Sequence, residues 1–418
     1  MVSKTTFQDT YAVCTRRDAL HKLSSFTPGM RRYDNTRNHV LRDHRNVSLL
    51  SAEVRCRLLL EWELIEEAAK KYSFAATQKW VQEVCWRLYW KGWLEWRPEV
   101  WQRYRERCHQ LKLELTEEQN IRISAITQGQ SGVVVMDRFV DELIAKGYMH
   151  NHARMWFASF WIHSEHLPWE LGAQFLYRHL LDADPASNTL SWRWVAGLQT
   201  KGKFYLARRS NIEKFCDASW FSPIGLEKLE NPQAVEIQET ALLEFIEPVE
   251  PEKSHALTQA QTTLRSGLWL HGEDLCLESS PLAKVKPGSL KAFLANHLFS
   301  AYETSDLRRA YAKAVLQDGL ARASEHFQVD GGLFETDNLG GELASWALED
   351  KLDCILAMRP HVGPLHDQLE EIRGALQKVG VDLILIRRPQ DEETSAYAQR
   401  GFFAYWKRMS KIIEDRFW

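Results

Sequence analysis

Residues 147–197 combine tryptophan with charged and amide side chains at a density that an ordinary core does not need. The polar members are Asn151, Arg154, Asp182, Asp184 and Asn188, and the aromatic members are Trp156, Trp161, Trp169, Trp192 and Trp194. A buried carboxylate needs a cation or hydrogen-bond donors, and a buried indole N–H needs an acceptor. Because Leu and Ile would build a core more simply, this composition requires another explanation.

The length and composition of the chain limit the class of protein to which it can belong. A length of 418 residues predicts two domains, and 17 Trp, of which 13 precede residue 221, are an unusual number. No run of about 18 apolar residues occurs, and the first residues lack the hydrophobic region of a secretory signal. We therefore expect a soluble, cytoplasmic protein.

Cysteine spacing and charge indicate which ligands to expect, a metal ion or a polyanion. Seven Cys are scattered without a CxxC pair, which predicts reduced and mostly buried thiols and no metal site. Residues 1–230 carry 33 Lys and Arg against 27 Asp and Glu, a net charge of +6, whereas the remainder carries −9. The basic first part is compatible with a polyanionic partner.

The elements that must position the residues of this segment are helices. From about residue 48 to 225, apolar residues recur at helical spacing, and strand-like alternation is nearly absent. The clearest helical patterns are 51–72, 76–93, 133–149 and 167–184, the last with Pro168 near its start. Residues 1–230 are therefore predicted to form one helical domain.

The pattern changes after a stretch that is rich in proline and acidic residues, at 231–265, which predicts a linker. Short apolar runs at 266–274, 353–360 and 381–389 resemble buried parallel strands. Helical patterns occupy 289–302, 307–327, 365–380 and 395–417. Residues 266–418 are thus predicted to form a smaller α/β (Rossmann-like) domain without a nucleotide phosphate loop.

Several motifs resemble the FAD-binding helical domain of the photolyase/cryptochrome family. "MHNHARM" (149–155), "DADPASN" (182–188) and "WRW" (192–194) resemble its M-H-N-x-x-R-M, D-x-D-x-x-x-N and W-x-W signatures. Upstream, "GQSG" (129–132), "WVQEVCWR" (80–87), "YDNTRN" (33–38) and "SLLS" (48–51) are similar to further family elements in the same order. The resemblance covers roughly residues 33–215 and implies FAD as the cofactor.

The resemblance also implies how the cofactor is held. Tyr33, Ser48, Leu49, Leu50 and Ser51 would line the FAD phosphates, with backbone N–H groups donated at a helix start. Trp80 and Arg87 would wall the cofactor. The isoalloxazine and ribityl groups would be surrounded by Asn151, Arg154, Asp182 and Asp184, with Arg154 paired to a carboxylate. Asn188 would face flavin N5, as in photolyases.

The same resemblance implies a catalytic set. Glu83, Trp86 and Trp194 would line the cavity for the DNA lesion, and Asn151 and Met155 favour a cyclobutane dimer, since enzymes for (6-4) photoproducts carry His at both positions.

Trp192 and Trp169 would be the two inner members of an electron-transfer chain. Its outermost Trp is missing, because no Trp occurs between residues 102 and 155. The exit would then be another residue, such as Trp161 or a Tyr; Trp156 and Trp161 are otherwise expected to be core.

The function implied is light-driven repair of cyclobutane pyrimidine dimers in DNA, with single-stranded DNA as a possible preferred substrate. A cryptochrome-like FAD photoreceptor without repair activity is the first alternative. A helical interaction module without a working flavin site is the second, because an isolated Glu beside a Trp is usually packing.

Overall fold

The computed structural model describes residues 10–200, 203–237, 247–252 and 264–418. The helices of the first part are α1 Arg16–Met30, α2 Tyr33–Thr36, α3 Ser51–Arg55, α4 Glu61–Ala69, α5 Phe74–Glu95, α6 Pro98–Glu114, α7 Glu117–Thr127, α8 Val134–Lys146, α9 Asn151–Ser159, α10 Trp169–His179, α11 Pro185–Val195 and α12 Arg209–Phe215. The later elements are β1 Ser266–Leu270, β2 Ser289–Ala295, α13 Asn296–Ala301, α14 Asp306–Phe327, β3 Gly331–Thr336, α15 Leu339–Glu349, β4 Cys354–Met358, α16 Leu369–Lys378, β5 Asp382–Ile386, α17 Pro389–Tyr397 and α18 Phe402–Phe417.

Helix boundaries in the first part follow local chemistry. Asp184 caps α11 by accepting a hydrogen bond from the Ser187 N–H, and Pro185 occupies the first helical position, where its missing N–H costs nothing. Gly147 ends α8 in the left-handed conformation. These two ends place the residues of α9 and α11 beside each other, since α9 and α11 pack together.

The second part is a five-stranded parallel sheet with the order β3-β2-β1-β4-β5. Central Leu268 in β1 lies opposite Leu290 of β2 on one side and Leu356 of β4 on the other. Every residue of β1 and of β4 is buried, as expected for strands covered on both faces. The predicted fold class, mainly helical with a smaller α/β part after the helices, is confirmed.

Three local predictions need correction, and one strand was missed. Residues 289–302 are not one helix, because β2 occupies their first half and α13 begins only at Asn296. Strand β3 was not predicted, since its two glycines and its exposed Phe334 at the sheet edge carry no strand pattern. Residues 51–72 form two helices, α3 and α4, separated at 56–60, and 395–417 is interrupted before α18 begins.

The α/β part packs directly on the helical part. Helices α17 and α18 lie along α5, and a Cβ at Gly92 of α5 would come within 2.8 Å of the Ala398 Cβ and 3.0 Å of the Ser395 Cα. Only glycine permits so close an approach. The predicted linker, 231–265, lies mostly outside the described residues, so the division into two domains stays a proposal.

All seven cysteines are free thiols; Cys14 is half-buried and the other six are buried, as predicted. Among the helices within the described ranges, none combines the length and the apolar character needed to cross a bilayer.

Candidate active site

A cavity of about 710 Å³ lies among the helices of the first part. Every site residue predicted from the sequence borders it, except Trp169. The residues it collects are Tyr33, Ser48, Leu49, Leu50, Ser51, Trp80, Glu83, Trp86, Arg87, Asn151, Arg154, Met155, Asp182, Asp184, Asn188, Trp192 and Trp194. Motifs that are up to 161 positions apart in the chain therefore meet at one place.

The lining divides by exposure into two regions. We call the largely buried Arg87, Arg154, Asp182, Asp184 and Asn188 the inner wall, in which no side chain is exposed beyond about a quarter. We call the half-exposed Glu83, Trp86, Trp90 and Trp194 the rim. The inner wall is mostly charged and the rim mostly aromatic.

Arg154 and Asp182 form an ion pair in the inner wall. The Arg154 Nη2 donates to the two Asp182 oxygens at 3.0 and 2.8 Å, and its Nε donates to the Met149 carbonyl at 2.8 Å. Because two different nitrogens of the guanidinium are engaged, one by Asp182 and one by a backbone carbonyl, the Arg154 side chain is fixed in place. The predicted pairing of Arg154 with a carboxylate is present.

Asp184 sits between two cations. Its Oδ2 lies 3.5 Å from the Arg87 Nη2 and 3.9 Å from the Lys91 Nζ, while its Oδ1 accepts from the Ser187 N–H at 2.8 Å. Burial raises the pKa of Asp184, but Arg87 and Lys91 outweigh burial and hold that pKa well below its usual range. The carboxylate is therefore ionised at neutral pH, and it is not one of the solvated charges that a loop would carry.

Asn188 presents an acceptor to the cavity. Its Nδ2 donates to the Ala173 carbonyl at 2.9 Å, which fixes the amide and leaves the Oδ1 as the atom available to a ligand. Since the side chain is only 8% exposed, a ligand that reaches it must enter the cavity.

The segment Ser48–Ser51 has the backbone of an anion site. Leu49 has a φ of +57°, rare for a residue with a side chain, and Leu50 follows with φ −93° and ψ 5°. This alternation is typical of the N–H concavity called a nest, and the strained residue costs about 1–3 kcal/mol; the Leu50 N–H also contacts the Ser48 Oγ at 3.4 Å. Lys22 holds the turn by donating to the Leu49 carbonyl at 2.5 Å and to the Glu53 Oε1 at 2.8 Å.

The aromatic residues beside this turn are fixed by packing. The Tyr33 ring meets Trp80 edge to face with centroids 5.2 Å apart, and the Trp80 Nε1 donates to the Leu64 carbonyl at 3.1 Å. These aromatic rings, the turn at 48–51, Arg154 and the Asn188 acceptor line one cavity. Together they fit a cofactor that has both a phosphate and a heteroaromatic part.

The rim holds a carboxylate among aromatic rings. The Glu83 Oε1 lies 3.2 Å from the Lys79 Nζ and 3.3 Å from the Arg37 Nη1. The Trp86 ring lies 5.1 Å from Trp90, and the Trp194 ring lies 5.7 Å from Tyr205. The rim can therefore offer flat apolar faces and charged groups to a ligand that combines the two.

Trp192 and Trp169 are both buried, but only Trp192 borders the cavity. A Cβ at Gly172 would overlap the Trp192 indole, so glycine lets this ring approach α10, which begins at Trp169. Trp169 in turn stacks on Tyr104 with centroids 5.5 Å apart.

Tyr104 leads outward from Trp169. Its ring lies 5.5 Å from Trp101, which stacks on the half-exposed Tyr302 at 6.0 Å. The Trp101 Nε1 donates to the Asp367 Oδ2 at 2.9 Å. An aromatic row thus runs from Trp169 to the surface.

Trp156 and Trp161 are fully buried, as expected for core residues. The Trp156 N–H donates to Asn211 and the Trp161 N–H to the Pro168 carbonyl, so both indoles are satisfied.

Some residues of the site were missed in the sequence. Lys79 precedes Glu83 by four positions on one helix, a spacing that could have identified the ion pair, and Arg37 lies inside the quoted "YDNTRN". Tyr205 and Lys22 have no such signal, because the residues they contact are distant in sequence.

Comparison with known proteins identifies the region. Residues 80–225 match the family described as the FAD binding domain of DNA photolyase. The chain is 32% identical over 139 residues to the deoxyribodipyrimidine photo-lyase of Streptomyces griseus, covering 33% of this chain and 29% of the relative. Against the photo-lyase of Agrobacterium fabrum it is 42% identical over 73 residues, covering 18% of this chain and 15% of the relative.

The matched segments therefore span less than a third of these relatives' lengths. Among solved structures, a class III photolyase from Agrobacterium tumefaciens aligns with a TM-score of 0.41 and 25% identity, over 48% of this chain and 42% of that one. Through residues 80–225 the chain is similar to the photolyase/cryptochrome family, and this region corresponds to the family's FAD binding domain.

Proposed function

We propose that the protein repairs cyclobutane pyrimidine dimers in DNA, using bound FAD and blue light. The observation that carries the proposal is the joint placement of Glu83, Trp86 and Trp194 at the rim of the cavity that the FAD-binding residues line. A flavoprotein that only stores or transfers electrons has no need of half-exposed indoles and a carboxylate at that position.

The inner wall and the nest would hold the cofactor. The backbone of Ser48–Ser51 and the side chain of Tyr33 would bind the phosphates. Trp80 and Arg87 would line the cavity beside the cofactor. Asn188 would offer its Oδ1 to the flavin ring. FAD would supply the light absorption and the transferable electron.

Residues of the rim would bind the substrate. A dimer weakens stacking and pairing, so it can be flipped out of the helix at a lower cost than normal bases. Trp86 and Trp194 would stack on the exposed bases, Glu83 would hydrogen-bond to a base, and Asn151 and Met155 favour the cyclobutane dimer. Arg37 and Lys79 hold Glu83 in place and add positive charge where DNA phosphates approach.

Electrons for reduction of the cofactor would travel through aromatic side chains. Trp192 and Trp169 are the proposed inner members, and Tyr104, Trp101 and Tyr302 are the aromatic residues that continue from Trp169 to the surface. The contact of the Trp101 N–H with Asp367 gives that indole a proton acceptor, which would stabilise it when oxidised. A tyrosine at the missing outer position agrees with one of the two exits expected.

The deciding experiment is repair by chemically reduced, FAD-loaded protein under anaerobic blue light. Oligonucleotides with one cyclobutane dimer, single-stranded and duplex, are the substrates, and dimer loss is measured by chromatography. We expect repair, with FAD retained but repair lost in Glu83→Ala and Trp86→Ala. If neither substrate is repaired while FAD is bound and redox-active, the enzyme proposal is wrong and the photoreceptor alternative replaces it.

A further inference from the structure

One face of the rim indole Trp86 is covered by a residue from the far end of the chain. The rings of Trp86 and Phe402 are parallel within 7°, with centroids 3.4 Å apart. Phe402 begins α18 and is only 4% exposed, whereas its neighbour Phe403 is 75% exposed. The stacked ring therefore belongs to the packed interior, and Phe403 does not.

Three hydrogen bonds join the segment before Phe402, from Ser395 to Arg400, to α5 and the two residues that follow it. The Tyr89 hydroxyl donates to the Arg400 carbonyl at 2.9 Å, and the Arg97 Nη2 donates to the Gln399 carbonyl at 2.9 Å. The Trp96 Nε1 donates to the Ser395 carbonyl at 2.8 Å.

The close approach at Gly92 adds a fourth restraint on this segment. Since Trp86 is on the same helix, the ring of Phe402 is held in a fixed position relative to the indole.

We propose that Phe402 is a positioning residue, which fixes the Trp86 indole so that its uncovered face is presented to a base of the bound DNA. This inference rests on the proposed function, because it assigns Trp86 to substrate binding. An indole has two faces, and Phe402 occupies one of them. A base can stack only on the other, so that Phe402, Trp86 and the base would form one continuous stack.

The consequence is that the α/β part completes the DNA site. Trp86 lies in the helical part and Phe402 lies 316 positions later, after the sheet. Without α17 and α18, the indole would keep its neighbours Trp90 and Tyr89 on α5 but would lose its stacking partner and gain rotamer freedom. A base would then have to order the indole as it binds, which weakens affinity.

The test is a double-mutant cycle on the FAD-loaded, full-length protein. Trp86→Ala, Phe402→Leu and the double variant are compared with the parent, and Phe403→Leu is the matched control. Binding of a dimer-containing single-stranded oligonucleotide with a red fluorescent label is measured by fluorescence anisotropy without blue light and with the FAD oxidised, so that repair does not enter the result. FAD content is recorded for every variant.

We expect Phe402→Leu to weaken binding about 2- to 12-fold, the range for one aromatic pair, and to leave FAD content unchanged. In the Trp86→Ala background the same change should have almost no effect, because there is no indole left to position. Phe402→Tyr should restore affinity, and Phe403→Leu should leave it unchanged.

A second readout follows the indole itself. In protein labelled with 5-fluorotryptophan, the ¹⁹F resonance of Trp86 is assigned by its absence in Trp86→Phe. Loss of the stacked ring in Phe402→Leu should shift and broaden this resonance, and Phe402→Tyr should keep it in place. Neither measurement depends on catalysis.

The outcomes distinguish failure of the proposed lesion site from failure of the positioning role of Phe402. If Trp86→Ala binds the dimer as well as the parent does, the proposed lesion site is wrong. If Trp86→Ala weakens binding but Phe402→Leu does not, or does so equally in both backgrounds, only the positioning role is overturned. An unchanged ¹⁹F resonance in Phe402→Leu overturns it as well.

Discussion

The inner wall and the rim of the cavity are built by different means. The inner wall is assembled from ion pairs and capping interactions among residues of α5, α9, α11 and the loop before α11, and its carboxylates are buried. The rim consists of half-exposed rings on α5 and α11, and one of those rings is stacked on α18. The first region depends on charge compensation and the second on packing between distant parts of the chain. Substitutions should therefore affect the two regions independently.

The largest expected effect is loss of the cofactor when the inner wall loses its cation. Arg154→Ala leaves the buried Asp182 carboxylate without its cation, and breaking such a pair costs about 3–5 kcal/mol. We expect FAD affinity to fall more than about 100-fold, so that the variant is purified largely without FAD. The Trp86–Phe402 stack should be unaffected.

The measurement is the FAD-to-protein ratio from visible and ultraviolet absorbance. Arg107→Ala, which removes an exposed Arg–Glu pair on α6, is the control and should retain FAD, because such pairs contribute little. Full FAD retention by Arg154→Ala would show that the inner wall has been misassigned.

The next largest effect concerns Glu95, which joins the end of α5 to the α/β part. At the end of α5, the Glu95 Oε1 accepts from the His361 Nδ1 at 2.7 Å, and its Oε2 accepts from the Ser395 hydroxyl at 2.9 Å and contacts Arg387. Burial raises the pKa of Glu95, but Arg387 and His361 together outweigh burial and lower the pKa to about 2.

A carboxyl whose folded pKa lies below its unfolded value stabilises the fold above the unfolded pKa, and this contribution is lost as the pH falls towards the folded value. Glu95 should thus contribute about 3 kcal/mol at pH 7, lost progressively between about pH 4.5 and pH 2. Urea unfolding of the parent and of Glu95→Gln at pH 7 and at pH 3 measures the difference. We expect the difference in free energy of unfolding to shrink at the lower pH; a constant difference would contradict the assignment.

The residues of the inner wall were predicted from the resemblance of short motifs to a known family, and the structure places them around one cavity. The need of Asp182 for a cation is a property of the residue itself. Sequence patterns also identified three of the five strands, because β1, β4 and β5 are continuous apolar runs bounded by turns. What the sequence could not supply was contact between distant segments. Nothing in "QRGFFAYW" indicates which phenylalanine is buried or that an indole of α5 lies against it.

A smaller effect would test how the inner wall is connected to the surface. Trp192→Phe and Trp169→Phe keep the packing volume but replace an oxidisable indole, so light-driven reduction of bound FAD should slow several-fold while the FAD content is unchanged. Trp101→Phe should slow it as well if the row through Tyr104 is the exit, whereas Trp161→Phe should not. The rate is followed by flavin absorbance under blue light with a thiol reductant. Slowing in Trp161→Phe but not in Trp101→Phe would assign the exit to Trp161.

The smallest expected effect is a difference in salt dependence between FAD binding at the inner wall and DNA binding at the rim. Buried pairs such as Arg154–Asp182 are weakly screened, so FAD should remain bound as salt rises. DNA binding should weaken steeply over the same range, since phosphate contacts release counterions, and the net charge of residues 1–230 is +6.

At the rim, Lys79→Gln removes one cation that we expect to contact a DNA phosphate. It should reduce the slope of log affinity against log salt by about 1. Lys112→Gln, which removes a cation on α6 that pairs with Glu303, is the matched control and should leave the slope unchanged. Equal slopes for the parent and Lys79→Gln would place the phosphate contacts elsewhere on the surface, and a salt-independent affinity would mean that DNA is not held through its phosphates.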